Sequence, residues 1–171
     1  MSITVHKDWE GKMKSSSRFL LIALLAVFTI VVTASCARDR TPPPTTVSVV
    51  LNATAEVNPD RNDRPSPIVV RVYELRSAGV FEISDFFSLL EQDTAILGAD
   101  QISRWEYQLE PGERVELDAE FRSGSGYVGI LAAYRDIEHA RWRAVQPIQP
   151  NRANDLEVVL ERLEVSIRQQ R

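Results

Sequence analysis

The chain has 171 residues, 44% hydrophobic and 26% charged, a balance that fits one ordinary globular domain. Its single cysteine excludes an internal disulfide, and one Cys with two distant His cannot supply the usual four ligands of a structural zinc. A net charge of −4 excludes a dedicated nucleic-acid binder, which needs a concentrated basic face.

The chain opens on an export signal. Met13-Lys14-Ser15-Ser16-Ser17-Arg18 is short and basic, residues 19–32 are apolar and uncharged, and Thr33-Ala34-Ser35 form a small-residue exit. A basic start, an apolar stretch of about 7–15 residues and small residues at the exit describe a secretory signal. The apolar run falls short of the roughly 20 residues of a comfortable membrane-crossing helix. Met13 reads as the natural start, leaving residues 1–12 as an upstream misassigned start or a long basic region. Ala34 and Ser35 directly before Cys36 resemble a bacterial lipobox, where the cysteine sulfur receives a diacylglycerol and the chain is cut just before it. Thr33 stands where that pattern most often has Leu. Ordinary signal cleavage leaving a free thiol, or an uncleaved anchor, are the rival readings. Acyl chains contribute about 0.8 kcal/mol per buried methylene, so several on one cysteine hold a protein stably to a bilayer. By resemblance to lipoprotein sorting rules, Ala37 after the cysteine favours the outer membrane. From Cys36 onward 16 Arg face 22 Asp and Glu. The lipid, and not a basic patch, must do the holding.

The expected division is a signal at residues 1–35, a lipidated Cys36 with a proline-rich tether at 36–46, and a folded domain at 47–171. Within the tether, Pro42-Pro43-Pro44 favours an extended, semi-rigid spacer. After it the dominant period is two. Val47, Val49 and Leu51 alternate with polar residues, as do Val70 and Val72, then Trp105, Tyr107 and Leu109. Val115, Leu117, Ala119 and Phe121 face one way and Glu116, Asp118 and Glu120 the other. The same alternation returns in Leu156, Val158 and Leu160 and in Leu163, Val165 and Ile167. Each run predicts a strand with one buried face. Residues 127–134 are apolar on both faces and predict a central strand. Residues 142–148 supply one more, giving about eight.

The period breaks once, over residues 81–97. Ser84 or Asp85 can cap a helix there, Phe86, Leu89 and Leu90 fall at i, i+3 and i+4, and Gly98 can end it. Glu110-Pro111-Gly112-Glu113 predicts a tight hairpin. The expected fold is all-β: a two-sheet antiparallel β-sandwich of about eight strands, with one short helix joining two of them.

Asn58-Pro59-Asp60-Arg61-Asn62-Asp63-Arg64-Pro65-Ser66-Pro67 carries three prolines and no aliphatic side chain. It predicts a protruding loop, stiffened by proline, that loses less entropy on docking than a floppy one.

Other motifs point to packing and solvation. Gly124, Gly126 and Gly129 match G-x-G-x-x-G, but a strand-like segment follows where a dinucleotide site needs a helix. His139 sits in a polar turn near Asp136, without a G-x-S-x-G elbow. Glu116, Asp118 and Glu120 read as a solvated strand face rather than a calcium site. Trp142 is expected in the core and Arg143 against a carboxylate, with a partner hot spot formed by Arg135, Trp142 and Arg143 as the alternative. No cofactor, metal or catalytic residue is expected.

Several of these segments, taken in order behind the lipobox, resemble the type VI secretion lipoprotein family (TssJ, VasD or SciN). They are Asn58-Pro59-Asp60, Arg64-Pro65-Ser66-Pro67, Val70-Arg71-Val72-Tyr73-Glu74-Leu75, Phe81, Asp85-Phe86-Phe87-Ser88-Leu89, Pro111-Gly112-Glu113, residues 129–136, and Trp142-Arg143. The resemblance implies a transthyretin-like sandwich with its helix between the second and third strands. It implies an outer-membrane lipoprotein facing the periplasm, anchored through acylated Cys36. It also implies binding to the periplasmic C-terminal domain of TssM, and through it association with TssL. In that family the loop between the first two strands contributes to the contact, which here is the loop 58–67. The alternative is a periplasmic carrier whose small ligand sits in a pocket lined by Trp105, Tyr107 and Phe86. A hydrolase is the third reading, and no convergent site assembles for it.

Overall fold

The alternating segments form eight strands in a computed structural model whose described residues are 41–170. Cys36 and the expected signal lie outside them. The strands are β1 (Thr45–Ala53), β2 (Ile68–Leu75), β3 (Gln101–Leu109), β4 (Arg114–Phe121), β5 (Tyr127–Ala133), β6 (Arg143–Pro147), β7 (Ala153–Leu160) and β8 (Val165–Gln169). One sheet has the order β4-β1-β7-β8 and the other β3-β2-β5-β6. Every pair is antiparallel except β1 with β7, which run parallel in the register Val49↔Leu156. The sandwich is therefore mixed at one pair, because β1 and β7 enter their sheet from the same end.

The inward-facing positions form the main core. Val47, Val49 and Leu51 of β1 meet Val70 and Val72 of β2, Ile130 of β5, and Leu156, Val158 and Leu160 of β7. Burying each such side chain contributes about 1.5–3 kcal/mol. The doubly apolar β5 lies between β2 and β6, as its sequence predicts. Gly112 in the 110–113 turn has φ +82°, the left-handed region that glycine enters without strain. The Glu113 N–H closes that turn on the Glu110 carbonyl at 3.0 Å.

The segment joining β2 to β3 is helical, divided into α1 (Gly79–Ile83) and α2 (Phe86–Leu97). The division falls at Ser84 and Asp85, both extended. Asp85 caps α2 by accepting the Ser88 N–H at 2.9 Å. Phe81, Phe86, Leu89 and Leu97 pack with Tyr73, Leu75 and Leu131 on the outer face of the second sheet, a second core. Asp93 fastens α2 polarly: its carboxylate accepts from the Tyr73 hydroxyl at 3.0 Å and from Arg104 at 2.6 Å. Gly129 lies under this layer, where a Cβ would stand 2.8 Å from Leu75 Cδ1 and 3.2 Å from the Phe81 ring. The residue is kept small by packing, and β5 follows the glycine turn where a nucleotide site would require a helix.

Candidate functional site

Because β1 and β2 belong to different sheets, the segment between them crosses one end of the sandwich. Its base is not solvated: Asn58, Pro59 and Ser66 are buried, whereas residues 61–65 are exposed. Polar side chains seat it instead of the missing aliphatic ones. Asn58 adopts φ +50°, a conformation Asn tolerates better than most residues. Its Nδ2 donates to the Pro67 carbonyl at 2.7 Å, its Oδ1 accepts the Arg135 N–H at 2.7 Å, and its own N–H donates to the Arg162 carbonyl at 3.1 Å. One side chain thereby satisfies a backbone carbonyl at the loop's far end and a backbone N–H of the turn after β5.

Asp60 organises the exposed part. Its Oδ1 accepts the N–H groups of Asn62 at 2.8 Å and Arg64 at 3.1 Å. Its Oδ2 receives the Arg64 guanidinium through Nε at 2.8 Å and Nη2 at 2.6 Å. The Asp60 N–H donates to the Arg64 carbonyl at 2.8 Å. The guanidinium and then these N–H groups hold the Asp60 carboxyl at about 2. Asp63, with φ +60°, reaches across to pair with Arg162. The loop is thus ordered by hydrogen bonds as well as by prolines.

Two further turns share this end. In the turn after β5, the Tyr134 hydroxyl donates to the Glu161 carbonyl at 3.2 Å, and burial pushes that phenol up. His139 Nδ1 lies 2.8 Å from Asp136 Oδ1, and this contact raises the imidazole's pKa. The end of the β5–β6 connection is tied to the turn after β7, where the Arg141 N–H donates to the Leu163 carbonyl at 2.8 Å and the Val165 N–H to the Arg141 carbonyl at 2.9 Å. An Arg141–Glu164 ion pair at 2.7 Å adds to them. Between the loop and the turns lies an open groove of about 1070 Å³. Pro59, Asp60, Arg61, Asn62 and Asp63 form one wall; Arg135, Asp136, Ile137 and Glu138, with Arg162 and Leu163, form the rest. Among the described residues, neither the Arg61 nor the Arg135 side chain has an acidic partner within ion-pair distance.

Of the predicted residues, the first half of the loop and Arg135 come together at the groove. Trp142 and Arg143 lie beyond it. Trp142 is half-buried, edge-on to Phe86 at 5.3 Å. Among the described residues, Arg143 meets no carboxylate: its Nη1 donates to the carbonyls of Ser84 at 2.7 Å and Phe81 at 3.2 Å, and its guanidinium stands 4.7 Å from the Trp142 ring centroid. Carbonyls left unpaired where α1 ends take the place of the expected anion. Sequence reasoning missed Asp136, Ile137, Glu138, Arg162 and Leu163, which share the groove only because topology brings three connections to one end. The carrier pocket does not form. Trp105 and Tyr107 pack against the inter-sheet core, with Trp105 stacked on Phe121 at 6.0 Å, while Phe86 lies on the opposite face of the same sheet. Glu116, Asp118 and Glu120 are exposed, as a solvated face requires.

Solved structures share this architecture. The T6SS lipoprotein TssJ1 from Pseudomonas aeruginosa is similar at 30% identity and a TM-score of 0.73, over 75% of this chain and 98% of that one. Serratia marcescens Lip, a membrane-bound component of the type VI secretion system, is similar at 25% identity and a TM-score of 0.69, over 75% and 99%. A chain in a structure described as the T6SS protein TssM C-terminal domain from EAEC shares the fold at 21% identity and a TM-score of 0.54, over 74% and 98%. A comparison with curated proteins gave no significant match. The family model for the type VI secretion lipoprotein (VasD, EvfM, TssJ) matches residues 45–163, which span both sheets and all three connections of the groove, and the chain belongs to that family.

Proposed function

We propose that this lipoprotein anchors the type VI secretion membrane complex to the outer membrane, with acylated Cys36 in the bilayer and the loop end of the sandwich gripping the periplasmic C-terminal domain of TssM. TssL is reached indirectly, through TssM. The observation that carries the docking half is the pre-ordered loop 58–67. Its tip is exposed while its base is pinned by Asn58 and its turn by Asp60 and Arg64. An ordered, protruding loop loses little conformational entropy on binding, which favours it as a docking element. A chain of this fold in a structure described by the TssM C-terminal domain supports the choice of partner.

The role is structural rather than catalytic. Among the described residues, the one close His–Asp pair, His139 with Asp136, is solvent-exposed on both sides, with no serine or cysteine bonded to the imidazole. A buried, oriented relay is what nucleophilic catalysis would require.

Two variants separate the anchor from the grip. Cys36→Ser should abolish acyl labelling and membrane retention while leaving TssM binding intact. Replacing residues 61–65 with a Gly-Ser linker should leave retention intact and weaken capture of the TssM domain. Full capture by the linker variant would place the interface elsewhere on the molecule.

A further inference from the structure

Two of the most exposed large apolar side chains flank the α1–α2 junction. Ile83, the last residue of α1, is 83% exposed, and Phe87, in the first turn of α2, is 58% exposed. Single exposed apolar residues are ordinary. These two differ in being held rigidly. Ser84 Oγ donates to the Val80 carbonyl at 2.7 Å, Asp85 caps α2, and Arg143 reaches in to bind the Phe81 and Ser84 carbonyls. Four polar side-chain contacts therefore fix a short connection whose apolar neighbours point outward.

The pair is also continuous with the groove end. Phe87 stands edge-on to Phe86 at 5.2 Å, and Phe86 edge-on to Trp142 at 5.3 Å. Trp142 follows Arg141, the residue bonded to the turn after β7. Ile137, in the groove wall, packs against the same outer core as Phe86. The surrounding charge selects the occupant. Glu82, Asp85 and Glu91 are the exposed charged residues of α1, α2 and their junction, while Arg143, the cation that reaches the junction, is half-buried and taken up by the Phe81 and Ser84 carbonyls. An anionic bilayer surface would be repelled by such a rim, since interfacial binding draws on basic side chains. An apolar pocket with a basic rim on a protein partner would be complementary.

We propose that Ile83 and Phe87 are a second docking element for the TssM periplasmic domain, entering an apolar pocket edged by Lys or Arg, so that the partner spans from the loop tip to the α1–α2 junction. This rests on the reading of the loop end as the TssM-docking end. Buried apolar anchors dominate most protein interfaces, whereas rim charges mainly set the approach.

The test measures the affinity of the detergent-solubilised full-length lipoprotein for the purified TssM periplasmic C-terminal domain. Four proteins are compared: wild type, the 61–65 linker variant, Ile83→Ser/Phe87→Ser and Phe87→Leu. The double serine variant should lose about ten-fold or more in affinity, an interface anchor's share. Its thermal midpoint should match the wild type, and Phe87→Leu should retain most of the binding. If the linker variant binds weakly but the double serine variant binds like wild type, the second element is overturned and the loop reading stands. If wild type does not bind, both are overturned. If the double variant instead loses binding to phosphatidylethanolamine/phosphatidylglycerol vesicles, or loses self-association, with TssM affinity unchanged, the pair faces lipid or a second copy and the inference fails.

Discussion

Asn58 Nδ2 donates to the Pro67 carbonyl at 2.7 Å, tying together the two ends of the loop 58–67. The other face of the same amide accepts the Arg135 N–H, so the loop is fastened to the turn that forms the opposite wall of the groove. A single carboxamide sets both the loop's shape and its place.

Asn58→Ala should therefore destabilise the domain by about 2–3 kcal/mol, because two backbone partners lose their bond and alanine is strained at positive φ. Asn58→Gly removes the bonds but not the backbone freedom, and should cost less than Ala. Urea denaturation of both variants checks this. Equal stability of wild type and Asn58→Ala would contradict it.

Asp60 should remain ionised well below the usual carboxylate range, since its folded value is about 2 against an ordinary 3.8. With the folded pKa depressed, its contribution to loop order is complete above about pH 4 and is lost as the pH falls through 2. Carboxyl chemical shifts followed by NMR titration should show Asp60 charged at pH 3. A midpoint near 4 would mean the Arg64 clamp is not formed in solution.

Asp93 secures α2 to the sheet, and its loss strands the Tyr73 hydroxyl and takes the carboxylate from Arg104, while Arg71, 3.5 Å away, keeps Glu106 and the Leu90 carbonyl. Burial alone would raise this carboxyl; hydrogen bonds from Arg104, Tyr73 and the Thr94 N–H outweigh it and hold the group below its ordinary value. Asp93→Ala should cost about 2–3 kcal/mol, the range for bonds to a charged group. Hydrogen exchange should rise first in α2. Loss distributed evenly over both sheets would argue against a local clamp.

Much of this fold was legible because period-two alternation survives in nearly every strand, from Val47-Val49-Leu51 to Val165-Ile167. The helical insertion was legible from Phe86 and Leu89 and from the Asp85 cap. Its division at Ser84 was not, because the decisive contact is Arg143 reaching the Ser84 carbonyl across 59 positions in sequence. The parallel β1–β7 pair was hidden for a similar reason: alternation specifies which face is buried and says nothing of the neighbouring strand's direction. At the candidate site, the loop announced itself through prolines and charges. Its partners Ile137, Arg162 and Leu163 did not, since ordinary turn residues gain their position only from sheet order. The buried base of the loop was likewise invisible, because Asn58 carries no apolar signal.

Gly129→Ala should be unfavourable in spite of the better strand propensity of alanine. Its Cβ would meet Leu75 and Phe81 within 2.8–3.3 Å, pushing α1 off the sheet. Overpacking of this kind costs about 1–3 kcal/mol. A thermal midpoint at or above that of the wild type would show that the helical layer yields freely.

The most direct test of the docking claim is photo-crosslinking in cells making the full-length lipoprotein and its TssM. The crosslinking amino acid is placed either at Arg61, on the loop tip, or at Glu116, on the exposed face of β4. A TssM adduct is expected from position 61 and none from 116. An adduct from 116 with none from 61 would contradict it.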